Sequence, residues 1–312
     1  MHEVSTSSPV RTLPGTQLPL AGVFHLLVVY FVWGSTYLAI RVAVREGSGF
    51  PPFWMAASRV LVAGSLLWCW GALRRTRLRP TRAEWQTLIG SAALLWVGGN
   101  GAVVWASQRV DSVYAALLVG ALPLWVAVFE AVLDRRGPSP LLALSLLVGF
   151  SGIAVISAPS MMEAKGATLL PIVALFFAPF SWGIGSILQQ RRPVRLSPEM
   201  SSSYQQLTGG LFFVAIALLT REPVPEPEGH AWIAWGYLVV FGSLLAFTSF
   251  VKALRILKAK VVMTYAYVNP VVAAFLGWWI LHESITRWTI GGTALVLLGV
   301  AGVFREREQR RG

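Results

Sequence analysis

Long apolar runs broken by short charged loops fill this chain almost from end to end. Ten such runs can be marked, at 20–40, 53–73, 84–107, 111–133, 139–158, 168–188, 198–219, 232–252, 260–281 and 287–304. Each approaches the roughly 20 residues a helix needs to cross about 30 Å of hydrocarbon. The pattern predicts an all-α membrane protein with ten transmembrane helices. Runs three and four touch through Gln108–Val110, and runs eight and nine through Ala253–Ala259, so those turns must be tight.

The loops orient the chain. Lys and Arg gather in alternate connections: Arg11 before the first run, then Arg74, Arg75, Arg77, Arg79 and Arg82, then Arg135 and Arg136. The same side receives Arg191, Arg192 and Arg195, then Lys252, Arg255, Lys258 and Lys260, and finally Arg305, Arg307, Arg310 and Arg311. The other connections hold only Arg41, Arg45, Arg109, Lys165, Arg221 and Arg287, while Arg59 lies inside a run. With loops this short, the positive-inside rule places both termini in the cytoplasm. The loop at Thr220–Ala231, with Glu222, Glu226, Glu228 and three prolines, reads as a stiff, acidic external connection. Residues 1–18, rich in Ser, Thr and Pro, read as a disordered cytoplasmic N-terminus, and 305–312 as a basic cytoplasmic tail. The first run lacks a small-residue cleavage pattern and reads as a retained helix, not a signal peptide.

The second half echoes the first. Trp33-Gly34-Ser35 returns as Trp182-Gly183 and Gly185-Ser186. An offset of about 146 places Pro52 on Pro198, Arg59 on Gln205 and Gly64 on Gly210. Tyr114…Pro123 is echoed by Tyr265…Pro270, and Gly149/Gly152 by Gly299/Gly302. Five helices is an odd number, so a second copy enters the membrane from the opposite face. The expected organisation is two inverted five-helix repeats, 19–158 and 159–304, with a solute site near mid-membrane at their interface.

Composition narrows the class. The chain is 55% hydrophobic and 13% charged, with a mean hydropathy of +0.62, against about 25% charged for a soluble domain. The net charge of +12 does not indicate nucleic acid, because the basic residues form short clusters between apolar runs, outside any recognisable nucleic-acid motif. Cys69 stands alone and His2, His25, His230 and His282 are scattered, so no metal and no cofactor are expected. The expected partners are a small-molecule substrate and membrane lipid, not nucleic acid, with the monomer as working unit. Phosphate-loop and nucleophile–base patterns are missing, which disfavours an ATP-driven pump or an enzyme. A membrane-embedded enzyme acting on a lipid or lipid-linked substrate is the alternative reading.

Several motifs together resemble the drug/metabolite transporter superfamily, in particular its EamA-type ten-helix members. They are Trp33-Gly34-Ser35-x-Tyr37 with Arg41, Pro52-x6-Arg59-x4-Gly64, and Ala106…Tyr114-Ala115-Ala116…Pro123. Gln206-x2-Gly209-Gly210 and Tyr265…Asn269-Pro270…Glu283 complete the set, which covers 22–304. The resemblance implies a bacterial inner-membrane carrier, often an exporter of amino acids or related metabolites. One departure stands out: the glutamate usual after the fourth span, matching Glu283 in the second repeat, is replaced by Arg135-Arg136.

Polar and aromatic side chains inside the runs are the candidate site. Arg59 is costly at bilayer depth and reads either as a carboxylate ligand or as a brace between helices. Asn100, within Gly98-Gly99-Asn100-Gly101, reads as a pocket amide or as a packing contact. Trp33, Tyr37, Tyr114, Trp182 and Tyr265 are candidate aromatic walls, and Gln205 and Asn269 candidate amide contacts. Pro123, Pro179 and Pro270 are expected to act as kinks or gates, since proline frees a carbonyl inside a helix. Ser202, Gln205 and Gln206 share one broad helix face, as pocket lining or interhelical glue. Glu130, the one carboxylate well within a run, is expected to pair with Arg135; proton antiport and facilitated diffusion both stay open.

Overall fold

The structure is a computed structural model that describes residues 19–45, 47–109, 118–163, 169–281 and 285–309. Among the described residues every regular element is helical. In chain order these are α1 (Leu20–Val44), α2 (Pro52–Leu73), α3 (Arg82–Ala106), α4 (Leu122–Asp134), α5 (Pro140–Glu163), α6 (Leu169–Arg191), α7 (Pro198–Leu219), α8 (Gly229–Ile256), α9 (Tyr265–Leu281) and α10 (Arg287–Gln309). Eight of them are long and apolar enough to cross a membrane; α4 and α9, at 13 and 17 described residues, are shorter. The outer surface carries Phe31, Leu211, Ile290 and many other exposed large apolar side chains. Such a contiguous apolar exterior belongs in lipid. The chain is a multi-pass membrane protein.

Several helices outrun the apolar segments that announce them. α5 continues to Glu163, α8 spans Gly229–Ile256 and α10 reaches Gln309. Hydropathy marks only the hydrocarbon-facing part, whereas backbone hydrogen bonding continues into the polar flanks. The ninth run differs in another way. It is a single turn at Ala259–Val262, a break at Met263–Thr264, and then α9. The Tyr30 hydroxyl hydrogen-bonds Thr264 Oγ1 at 2.6 Å and fixes the break against α1.

Two antiparallel helix pairs form the seams. On α2 and α7, Gly64 faces Leu207 while Gly210 faces Leu61, and Gly71 faces Met200. As the number rises on one helix it falls on the other. A methyl group on Gly210 would come within 2.5 Å of Leu61, so only glycine permits this approach. Ser203 Oγ donates to the Gly64 carbonyl across the seam at 2.7 Å. α5 and α10 cross in the same way, with Gly149 against Gly299, Gly152 against Gly292 and Val296, and Ser145 against Gly302.

Both α3 and α8 widen into a π-helical stretch in their middle, at Ala93–Gly101 and Leu238–Phe247. Each stretch accepts hydrogen bonds from distant parts of the chain. Ser181 Oγ donates to the Leu94 carbonyl at 2.8 Å, and Trp33 Nε1 donates to the Gly242 carbonyl at 3.2 Å. π-helical turns of this kind concentrate at functional sites.

The α2 N-terminus is capped from far away. The Glu222 carboxylate accepts from the backbone N–H of Phe53 (3.1 Å) and Trp54 (3.0 Å). Glu226 N–H and Glu228 N–H donate to the Gly49 and Ser48 carbonyls, so the acidic loop lies along the α1–α2 turn. Gly49 has φ +71° and sits against the Glu226 backbone, which no side chain could do.

Candidate functional site

A central cavity of about 70 Å³ opens where α1, α2, α3, α4, α6 and α9 meet. Its walls include Trp33, Tyr37, Arg59, Asn100, Pro179, Trp182, Tyr265 and Asn269, so eight of the residues singled out from the sequence share one space. Gln205 does not join them; it lines a different cavity. Tyr114 and Glu283 lie outside the described residues.

The aromatic floor is a cluster of edge-on and tilted rings. Trp33 meets Trp182 edge-on at 5.5 Å and Tyr265 edge-on at 4.9 Å, and Phe250 at a tilt at 5.2 Å, between ring centroids. Trp96 packs on Phe247 at 4.7 Å. Gly99 allows the Trp182 ring to lie directly on the α3 backbone, where a methyl group would come within 2.7 Å of it.

Arg59 is 3% exposed. Its Nε donates to Ser243 Oγ at 2.8 Å, and its guanidinium carbon lies 5.9 Å from the Trp96 ring. Its Nη1 is buried with no hydrogen-bond partner. Arg59 therefore braces α2 against α8 and still has a donor to spare. Asn100 Oδ1, Trp96 Nε1 and Trp182 Nε1 are likewise buried without partners. Unsatisfied buried groups are rare in proteins and cost about 1–3 kcal/mol each. Here they cluster on the walls of one cavity: three donors and an acceptor.

Asn269 is 1% exposed. Oriented by its surroundings, its Nδ2 donates to the Tyr265 carbonyl at 3.0 Å and the Tyr30 carbonyl at 3.3 Å, and its side chain hydrogen-bonds the Tyr37 hydroxyl. The amide thus ties the first turn of α9 to α1 and holds Tyr37 in the cavity wall.

The three prolines separate. Pro179 lies inside α6 and lines the cavity. Pro270 lies inside α9 but not on the wall. Pro123 is no interior kink: it sits in the first turn of α4, where the missing N–H had no intrahelical partner to lose. Nor does Glu130 pair with Arg135; the ion pair at that end is Arg191–Asp134 at 2.6 Å. The polar face of α7 is mostly glue, with Gln206 Nε2 donating to Ser202 Oγ (3.2 Å) and the Ser243 carbonyl (3.4 Å).

Thr36, Trp96 and Gly99 line the central cavity as well. Of the three only Thr36 drew no notice in the sequence; its neighbour Tyr37 was the available signal.

A membrane bundle with a polar, aromatic-walled cavity among its long helices defines a transport protein. The sequence matches the EamA-like transporter family over 20–158 and again over 169–305. The chain belongs to that family, within the drug/metabolite transporter superfamily. It is 30% identical over 273 residues to the uncharacterized inner membrane transporter YedA of Escherichia coli K12, covering 86% of this chain and 85% of that one. The uncharacterized transporter YoaV of Bacillus subtilis is 24% identical, over 88% and 94%. The S-adenosylmethionine/S-adenosylhomocysteine transporter of Chlamydia trachomatis serovar L2 is 24% identical, over 93% and 90%. A crystallographically determined chain with 19% identity superposes with a TM-score of 0.78 over 93% of this chain and 98% of that one, which shows a shared fold.

Proposed function

We propose that this chain is a secondary carrier that moves an amino acid or amino acid derivative outward across the bacterial inner membrane by alternating access. Its ten helices form two five-helix repeats of opposite orientation, 19–158 and 159–304, with both termini in the cytoplasm. The antiparallel pairing of α2 with α7 and of α5 with α10 supports the inversion, since Gly64 on Leu207 is mirrored by Gly210 on Leu61 and Gly149 meets its counterpart Gly299.

One observation carries the solute class. Arg59 keeps an unpartnered Nη1 at a cavity whose other open groups are Asn100 Oδ1 and two indole N–H groups. A carboxylate accepts from the guanidinium, an ammonium or amine donates to Asn100, and the rings of Trp33, Trp96 and Trp182 cover an apolar or aromatic remainder. The relative named for S-adenosylmethionine and S-adenosylhomocysteine, both amino acid derivatives, favours the same class. A space of about 70 Å³ holds a few waters, not a metabolite. Loading therefore requires the Trp33–Trp182 layer to part, which is the motion alternating access needs.

Counterflow in proteoliposomes tests the proposal. A labelled L-amino acid should accumulate only when the unlabelled compound is trapped inside. Arg59→Gln should slow carboxylate-bearing solutes more than their methyl esters. Equal loss for both would leave Arg59 a brace alone, and failure across amino acids and their derivatives with folded protein would remove the solute class. A pH gradient imposed in the same vesicles separates proton antiport from facilitated diffusion.

A further inference from the structure

A second cavity, of about 570 Å³, lies at the end of the bundle that carries the basic loops. It is within the roughly 300–1,000 Å³ typical of small-molecule sites, whereas the central cavity is much smaller. The two cavities share α3 and α6. On α3, Thr87 and Ser91 line the second cavity while Trp96 and Asn100 line the first. On α6, Gln189 and Gln190 line the second, and Pro179 and Trp182 the first. At 1.5 Å per residue, Ser91 to Trp96 and Trp182 to Gln189 span only about 7–10 Å. The layer between them is aromatic, built from Trp96, Trp182, Phe247 and Phe250.

Two amides on this cavity's wall are incompletely bonded. Gln205, 1% exposed, donates from Nε2 to Gln189 Oε1 at 3.1 Å. That contact leaves Gln205 Oε1 and Gln189 Nε2 buried without partners. Reversing both amides gives the same result: one open acceptor beside one open donor. Arg255 and Lys258 stand exposed on the rim, and no described lining residue is a carboxylate. Arg255 is partly committed, donating to the Leu196 carbonyl (2.8 Å) and Ser201 Oγ (2.7 Å). Glu199 nearby is engaged by Lys252 at 2.7 Å.

We infer that this cavity is a second solute-binding site in series with the central one, an entry vestibule that selects α-amino-carboxylates before the aromatic layer opens. The ammonium donates to the open amide oxygen, and the carboxylate accepts from the open amide nitrogen under the field of Lys258 and Arg255. Its solute class rests on the carrier reading given above.

Thiol protection tests the site without a transport step. Cys69 is exposed and is replaced by serine, and Val194, half-buried on the cavity wall, becomes the reporter as Val194→Cys. Labelling by the anionic reagent methanethiosulfonate ethylsulfonate is timed with each of the twenty common L-amino acids in turn. At least one should slow labelling about threefold or more, and the methyl ester of the strongest protector should not. Gln189→Leu should reduce the protection. So should Lys258→Gln, which sits on the exposed rim and leaves the fold intact. Arg59→Gln should leave protection in place, because that side chain belongs to the other cavity. No protection by any of the twenty, equal protection by the ester, or its loss on Arg59→Gln would overturn the inference. Counterflow that fails while protection persists would remove the carrier reading and leave this site standing.

Discussion

Arg59 and Gln205 occupy the same place in two helices, each seven residues after the proline that opens α2 or α7. The helices pack antiparallel, so the two side chains lie on either side of the seam's middle and reach different cavities. The guanidinium braces α8 and faces a tight aromatic chamber; the amide pairs with Gln189 beside a roomy polar one. The scaffold around them is nearly symmetric, with Gly64 on Leu207 mirrored by Gly210 on Leu61. The backbone seams are thus shared by both halves, while the chemistry resides in the few side chains that differ.

A buried charge pair is the strongest point of asymmetry. Lys260 Nζ lies 2.5 Å from Glu306 Oε2, and both residues are almost fully buried. The first half has Val113 and Pro159 at the positions 147 earlier. Lys260→Met should destabilise the folded protein by about 3–5 kcal/mol by taking the ammonium away from a buried carboxylate, and Lys260→Met with Glu306→Leu should recover most of it. Thermal unfolding in detergent measures both; a double variant as unstable as the single would contradict the pairing.

Arg59→Gln comes next. Loss of one charge-assisted hydrogen bond to solute is worth about 1.5–3 kcal/mol, or roughly 10–100-fold in transport of carboxylates. Gln205→Arg, its mirror, should not compensate, because the new side chain enters the other cavity; rescue in the double variant would break the comparison.

The seams should respond alike. Gly64→Ala and Gly210→Ala each push a methyl group into a leucine of the facing helix, costing about 1–3 kcal/mol. Unfolding shifts that differ severalfold between the two would deny the symmetry. The smallest effect belongs to Lys252→Gln, whose pairing with Glu199 is partly exposed and worth about 1 kcal/mol or less.

The sequence revealed the central site because Arg59, Asn100, Asn269 and the tryptophans have no reason to sit in lipid. It also contained the glycines of both seams. Three features were hidden. Arg255 and Lys258 read only as orientation signals, since hydropathy does not report which way a helix end is turned. Lys260 looked like another loop cation because its partner, Glu306, lies beyond the last apolar segment. The π-helical stretches of α3 and α8 receive hydrogen bonds from Ser181, Arg59 and Trp33 on other helices, contacts that no local propensity encodes.

The claim beneath everything else is that the two halves thread the membrane in opposite senses. Gly137 and Gly229 both have open space where a side chain would go, so a cysteine at either site leaves the fold untouched. In a Cys69→Ser background, intact cells treated with a membrane-impermeant maleimide should label Gly229→Cys and spare Gly137→Cys until the membrane is broken. Labelling of both from the same face would contradict the account.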